Sequence, residues 1–493
     1  MPDHAGRSGE TGASPMRLRA LFLLLGFSAG LPLFMYGAVL SLRLARQGVD
    51  VAVIGFFAWV GLLPVFKFAW APLVDRIRVP GFAKAWGRRR GWIMLAQLGI
   101  ASSLAGMALT SAGANLALTA LFAVTLAFWT ATLETAVDGW RITLAPTQAA
   151  QAPLVTANLW GYRAAMVAAG SGAVWIAARA DWTAAYLAIA AAAFVPFPLV
   201  AAMRSEVHDG GCPGALLRGL AASAAILPLT TALFAALGAL VLGAAREAGL
   251  HTGSNVTPYV LAAGLVPFAL LAALLPRIRR LAPDDLARLS PGIAAFVDLF
   301  WRYGFASLLV LAFVSLYRMG DVLALALNHP MWDAKGYGLE AIAIADGPVA
   351  LAASLLGVAL GGWTAARWPI GRALLAGAAG AALGNWAYAW LWRVPAEGWR
   401  LQAAAALDAG FNGFAGTVFV VYLSLLVNPR YPAAQYAFLA GCAFLLPRLL
   451  AGASGTLQKE VGWDGVFLIA GALSLSAALL LPIVLRIKPR AAG

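Results

Sequence analysis

The stretch LALTALFAVTLAFWTATLETAVDGWRI, Leu116 to Ile142, decides how the chain is read. From Leu116 to Thr132 it holds no charged residue; then Glu134, Asp138 and Arg141 follow in quick succession. A helix turns 100° per residue, so Glu134 and Asp138 lie about 40° apart and Glu134 and Arg141 about 20° apart. The three charges share one face and cover about 10 Å of axis. A charge at the bilayer centre costs roughly 2.5–3.5 kcal/mol on insertion scales, and charges kept there face a bundle interior or a wet cavity. The segment reads as a membrane span with one polar wall.

The rest of the chain repeats that chemistry. Its 493 residues are 62% hydrophobic and 11% charged, against about 25% charged in soluble domains. Apolar runs recur near the ~20 residues that cross the hydrocarbon core as a helix. They are too long and too uniformly apolar for barrel strands. The class is all-α, a polytopic membrane protein of about fourteen transmembrane helices. The polar start, MPDHAGRSGETGASP, has no short apolar core, so no signal peptide is expected. The two cysteines, Cys212 and Cys442, suggest no disulfide framework, and the four histidines show no metal-ligand spacing. No metal or cofactor is expected, and without GxxxxGK[ST] nothing supports ATP-driven transport.

Spans are expected at 18–43, 51–74, 92–111, 116–143, 154–178, 182–203, 219–244, 256–276, 304–327, 338–366, 371–393, 400–427, 434–457 and 463–486. Basic residues set the orientation. The connections Asp75–Trp92, with six Lys and Arg, and Arg277–Gly292 are the basic ones, which puts both termini in the cytoplasm. The net charge of +14 is mostly this bias. The charges flank spans instead of forming one face, so no nucleic-acid partner is expected.

The chain also looks duplicated. Arg76 with Gly87-Arg88 after the second span matches Arg367 with Gly371-Arg372 after the tenth. The expected domains are a tail at 1–17, a six-helix bundle at 18–203, and a linker with two further spans at 204–303. A second six-helix bundle at 304–487 and a tail at 488–493 complete the chain. Parallel six-span repeats are the plan of major facilitator transporters, with the substrate site between the halves.

Three readings of the acidic span remain open. Arg141 neutralises Asp138 in a structural pair; or a left-over carboxylate, with its pKa raised, takes up and releases protons; or Arg141 snorkels at the cytoplasmic mouth. Further charges are Arg318 and Asp321 in YRMGD, Asp408 with Asn412 in LDAGFNGF, Arg163 in WGYRAAM, Lys67 and Arg448. Lys67 and Arg448 read as packing residues with snorkelling head groups. Trp129 and Trp140 read as packing or as a stacking face for a sugar. Gly170-Ser171-Gly172 and Gly361-Gly362 read as points of close helix contact.

GFSAGLPLF, IGFFAWVGLLPVFKFAWAPLVDR, GRRRGWIMLAQ, WGYRAAM, LYRMGD, FVVYLSLLVN and QYAFLAG resemble the AmpG-type muropeptide permeases of the major facilitator superfamily. The likeness runs over residues 18–487. It implies proton-driven import of anhydromuropeptides, cell-wall fragments, across the bacterial inner membrane by a monomeric carrier. The partners are then a glycopeptide-like small molecule, protons and membrane lipid. The family's acidic pattern in the fourth span maps onto Glu134, Asp138, Gly139, Trp140 and Arg141, with Glu in place of the first Asp. Its second-half pattern maps onto Asp408, Ala409, Asn412 and Gly413, with Ala for an Asn and Asn for a Gly. Proton coupling is thus expected at Glu134, Asp138 and Asp408. Substrate binding is expected at Arg141, Arg163, Arg318, Asp321, Asn412, Trp129 and Trp140, and cytoplasmic gating at Asp75, Arg76, Arg88 and Arg89. Siderophore, peptide or acyl-CoA-like cargo is the alternative. A membrane-embedded enzyme is the remote one, since the connections are short and hold no nucleophile–base constellation.

Overall fold

The computed structural model describes residues 14–49, 57–202, 215–247, 273–278, 280, 291–451, 454–487 and 489–490. The expected span at 256–276, most of the basic connection at 277–292 and the tail at 1–13 lie largely or wholly outside them. Among the described residues the elements are helices, and nine helical segments are long and apolar enough to cross a bilayer. With no water in hydrocarbon, each backbone donor and acceptor must be satisfied within its segment, which is why the apolar runs are helical. The expected spans 154–178 and 371–393 are helical as well, as are the described residues of 434–457.

The chain divides into two compact units, Met1–Arg141 with Ala157–Leu250, and Ile142–Thr156 with His251–Gly493. In the first unit, α1 (Pro15–Tyr36) and α2 (Ala38–Arg46) meet at Gly37, whose φ of −102° and ψ of −112° interrupt the helix. The expected helix at 51–74 takes a different form. Ala58–Ala69 is a 3-10 helix, followed by a short α3 (Ala71–Arg76). Pro64 lies in that stretch and has no N–H to give an α-helical bond. Twelve residues is long for 3-10 geometry; Lys67 ties it to a long helix further along the chain. That helix is α5 (Leu116–Leu144), which follows α4 (Phe82–Leu109). Inside α4, Gly87 has φ +76° and ψ 177°, a break that only glycine makes without strain. Then come α6 (Gln148–Val167), a π turn at Ala168–Gly172, α7 (Ala173–Arg179), α8 (Trp182–Phe194), α9 (Pro196–Ala202) and α10 (Ala215–Glu247).

The second unit holds α11 (Pro291–Tyr303), α12 (Ala306–Ala334), α13 (Leu339–Ile344), a π segment at Ala345–Val349 and α14 (Ala350–Arg367). It continues through α15 (Ile370–Arg393), α16 (Gly398–Leu426), α17 (Pro432–Ala451) and α18 (Ser454–Val484). Residues 142–156 belong with this unit because the Gln148 amide donates to the Ala365 and Trp368 carbonyls, at 2.6 and 2.8 Å. The duplicated turns have a common structural counterpart: Arg76 is the last residue of α3 and Arg367 the last of α14. The first turn, however, is the longer one, carrying an extra helical piece before Gly87.

Small residues set the helix spacing. Gly361 meets the backbone of Phe414 and Gly362 meets Thr156, as close-contact sites should. Gly170 and Gly172 differ: they lie in a π turn, and a Cβ on Gly172 would meet nothing within 4 Å. The tightest approach between α14 and α16 is at Gly357, where a Cβ would run into the Gly410 carbonyl. Overpacking of this kind costs about 1–3 kcal/mol. Gly357→Val is expected to lower the thermal unfolding midpoint of the purified protein, with Gly172→Ala as the unaffected comparison.

Candidate functional site

In the first unit the polar wall of α5 is met by the 3-10 segment. Lys67 Nζ lies 2.9 Å from Glu134 Oε2, and one helical turn on, Arg141 Nη2 lies 2.9 Å from Asp138 Oδ1. Trp70 reinforces the junction, donating its Nε1–H to Thr132 at 3.0 Å and packing on Phe128. Lys67 also interacts with the Asp138 carboxylate. The trio seen in the sequence is therefore a quartet of two acids and two bases, and no carboxylate is left over. The snorkelling reading of Lys67 is corrected for the same reason: its amine is buried against Glu134 and does not reach for a membrane surface. Arg141 is buried too, its side chain 1% exposed, which excludes a snorkelling role.

The other first-unit residues are placed as follows. Arg163 is half-buried on α6. Trp129 and Trp140 are both buried; Trp129 packs on Gly99 and edge-on to Phe128, and Trp140 packs against Phe22. Both rings fill space between helices, as the packing reading has it. Asp75 is buried at the end of α3, while Arg76 beside it is exposed. Arg88 and Arg89 are half-buried just past the Gly87 break. Their neighbour Arg90, not singled out in the sequence, is the most buried of the three and donates Nε–H to the Trp86 carbonyl at 2.9 Å.

In the second unit, Arg318 Nη1 donates to Asp321 Oδ2 at 2.8 Å, with the side chains 11% and 3% exposed. Asn385 of α15 is buried and donates to Ser474 at 3.2 Å. The Arg318 guanidinium faces the Phe444 ring at 5.6 Å, and its Nε is buried without a hydrogen-bond partner. Asp408 and Asn412 are half-buried on α16 one turn apart. Asp408 Oδ2 accepts from the Tyr388 hydroxyl at 3.3 Å. Sequence reasoning missed Tyr388 and Asn385, because an uncharged polar residue in an apolar run gives no signal of its partner. It also missed a polar knot in which Asp298 accepts from Arg302, Asn428 and Gln435. Asn428 and Gln435 stand in two stretches that carried the family likeness.

Known proteins agree with this architecture. No family model matches the chain. It is 25% identical over 466 residues to the anhydromuropeptide permease of Escherichia coli K12, covering 94% of this chain and 78% of the relative. It is 25% identical to the putative transporter AmpG 4 of Rickettsia felis, covering 94% and 95%. Among solved structures, the proton:xylose symporter XylE matches with TM-score 0.59 at 13% identity, covering 97% and 96%. The E. coli fucose:proton symporter FucP matches with TM-score 0.55 at 13% identity, covering 95% and 98%. The chain is a multi-pass membrane transporter with the major facilitator fold. The expected likeness to the AmpG-type permeases is borne out, over nearly its full length.

Proposed function

We propose that this protein imports anhydromuropeptides from periplasm to cytoplasm across the bacterial inner membrane, driven by protons, by alternating access. The carrying observation is the neutral quartet formed by Glu134, Asp138 and Arg141 on the membrane-length helix α5 with Lys67 on the 3-10 segment. Ionised pairs in low dielectric survive only while each partner is compensated. A proton added to Glu134 or Asp138 removes a negative charge and releases Lys67 or Arg141, so protonation and rearrangement are linked. Asp408, held by Tyr388, is the second-half carboxylate in the same role.

The cargo reading rests on chemistry and likeness. A muropeptide offers carboxylates, amides and sugar hydroxyls. Arg318 keeps an unpartnered buried Nε, and guanidinium forks suit carboxylates. Arg141, Arg163, Asp321 and Asn412 are the other binding residues we assign. Asp75, Arg76, Arg88 and Arg89 form the gate at the cytoplasmic side. Both termini are cytoplasmic, the six-helix halves are 18–203 and 304–487, and the monomer is the working unit. The departures at Ala409 and Asn412 favour one second reading, the same carrier with siderophore, peptide or acyl-CoA-like cargo.

Uptake into reconstituted vesicles tests both. Labelled anhydromuropeptide is expected to accumulate with an inward pH gradient and to stop accumulating when the gradient is collapsed. Asp138→Asn should abolish gradient-driven uptake per molecule of inserted protein, the amount inserted being measured because Arg141 loses its counter-ion. Accumulation of a siderophore but not of the muropeptide selects the second reading; undiminished uptake by Asp138→Asn rejects the coupling role.

A further inference from the structure

Residues Ile142–Thr156 form a strap. It leaves the first unit inside α5, directly after Arg141, and re-enters it inside α6 at Ala157. Its root therefore abuts the Asp138–Arg141 pair. Thr147 starts α6 within the strap: its Oγ1 accepts the Ala150 N–H at 3.3 Å and its carbonyl accepts the Gln151 N–H at 2.9 Å. Gln148 is thereby fixed as the first helical residue, and its side chain reaches the end of α14.

That end of α14 needs a donor. In a continuing helix the Ala365 carbonyl would take the N–H four residues on. Residue 369 is proline, which has none. The proline also pushes Trp368 into extended backbone, φ −94° and ψ 153°, and the helix stops. Gln148 Nε2 supplies the missing hydrogens, one to the Ala365 carbonyl at 2.6 Å and one to the Trp368 carbonyl at 2.8 Å. Both partners are carbonyl oxygens, so the amide atom facing them is the nitrogen, with both of its hydrogens in use. Further along α6, Thr156 lies against Gly362, where a Cβ would run into the Thr156 Oγ1. Gly361 faces the Phe414 backbone of α16 instead. The glycine pair thus serves two neighbours: a helix of the second half, and the strap.

We propose that Gln148 is the positioning residue of a releasable clamp: its amide docks the strap on the proline-ended α14, and letting go frees the strap during the transport cycle. The proposal deepens the alternating-access reading and rests on it for the clamp's part in the cycle, though not for the clamp itself. Neutral hydrogen bonds suit a contact that must break. Each is worth little net, because amide and carbonyls exchange one another for water, and the bond to Trp368 lies at an exposed helix end. Docked and released forms then differ by few bonds, so a modest bias moves the balance.

Double electron–electron resonance on the full chain in lipid nanodiscs tests the clamp without any cargo. Spin labels go on Ala150→Cys in the strap and Arg372→Cys at the start of α15, both exposed positions, with Cys212→Ser and Cys442→Ala removing the native thiols. Gln148→Met keeps the side-chain length and loses both donors. It is expected to raise the ratio of long-distance to short-distance population by about tenfold. Gly362→Ala should move the ratio the same way, as a wedge, and Gly362→Ala/Thr156→Ala should recover most of the docked form. The thermal midpoint of Gln148→Met should stay at the parent value, and its maximal uptake rate should fall at least about threefold. A distance distribution unmoved by Gln148→Met overturns the proposal, and so does a shift that comes only with a lowered thermal midpoint. A shifted distribution with parental uptake kinetics removes the clamp from the cycle. Failure of the parent protein to accumulate muropeptide, with Gln148-dependent docking present, would instead count against the cargo reading.

Discussion

Lys67→Met is expected to strip the protein of gradient-driven uptake and much of its stability, and the double variant Lys67→Met/Glu134→Gln to recover only the stability. Lys67 Nζ is 2.9 Å from Glu134 Oε2, and the two side chains are 10% and 23% exposed. Removing one partner of a buried pair leaves the other uncompensated, at a cost of roughly 3–5 kcal/mol when burial is complete. Glu134 keeps some exposure, so the lower end applies. Replacing both partners by neutral side chains is often neutral or stabilising. The thermal midpoint of the double variant in detergent should therefore return close to the parent value. Uptake should stay at least about tenfold reduced, the equivalent of 1.4 kcal/mol, because no titratable group remains at 134. A double variant that both folds and accumulates cargo like the parent protein would remove Glu134 from the coupling machinery.

The fold was legible for a physical reason. Hydrocarbon allows few backbone solutions, so long apolar runs dictate helices almost irrespective of detail. Polar faces were legible as well: Glu134, Asp138 and Arg141 fall on one wall at helical spacing, and the Arg141–Asp138 and Arg318–Asp321 pairs are both three residues apart. What sequence could not supply was partners from other segments. Lys67 lies 67 residues from Glu134, in a stretch expected to be an ordinary span and found in 3-10 form. Nothing in FKFAW distinguishes an inward-facing lysine from a snorkelling one. Asp408 presents the same difficulty, since Tyr388 comes from another helix. Of the two readings open for the tryptophans, Trp129 fits packing, its ring directed at the bare backbone of Gly99.

Arg318 offers the sharpest separation of structural from functional charge. Its Nη1 holds Asp321 at 2.8 Å, and Asp321 is among the most buried carboxylates described. Arg318→Met strands that carboxylate at a cost of about 3–5 kcal/mol, comparable to the whole stability of many domains. The variant is expected to be nearly absent from membranes on a quantitative blot. Arg318→Met/Asp321→Asn should accumulate, since neither charge is left alone. Arg318→Lys is the informative member of the series. A lysine keeps the positive charge beside Asp321 but presents one ammonium in place of five fixed N–H donors. If the buried, unpartnered Nε of Arg318 marks the face that meets a cargo carboxylate, losing that charged hydrogen bond costs about 1.5–3 kcal/mol. KM for an anionic cargo should then rise roughly ten- to hundredfold, while the maximal rate and the thermal midpoint change little. A lysine variant with parental KM would make Arg318 a counter-ion for Asp321 and nothing more, and the cargo carboxylate would have to be sought at Arg163.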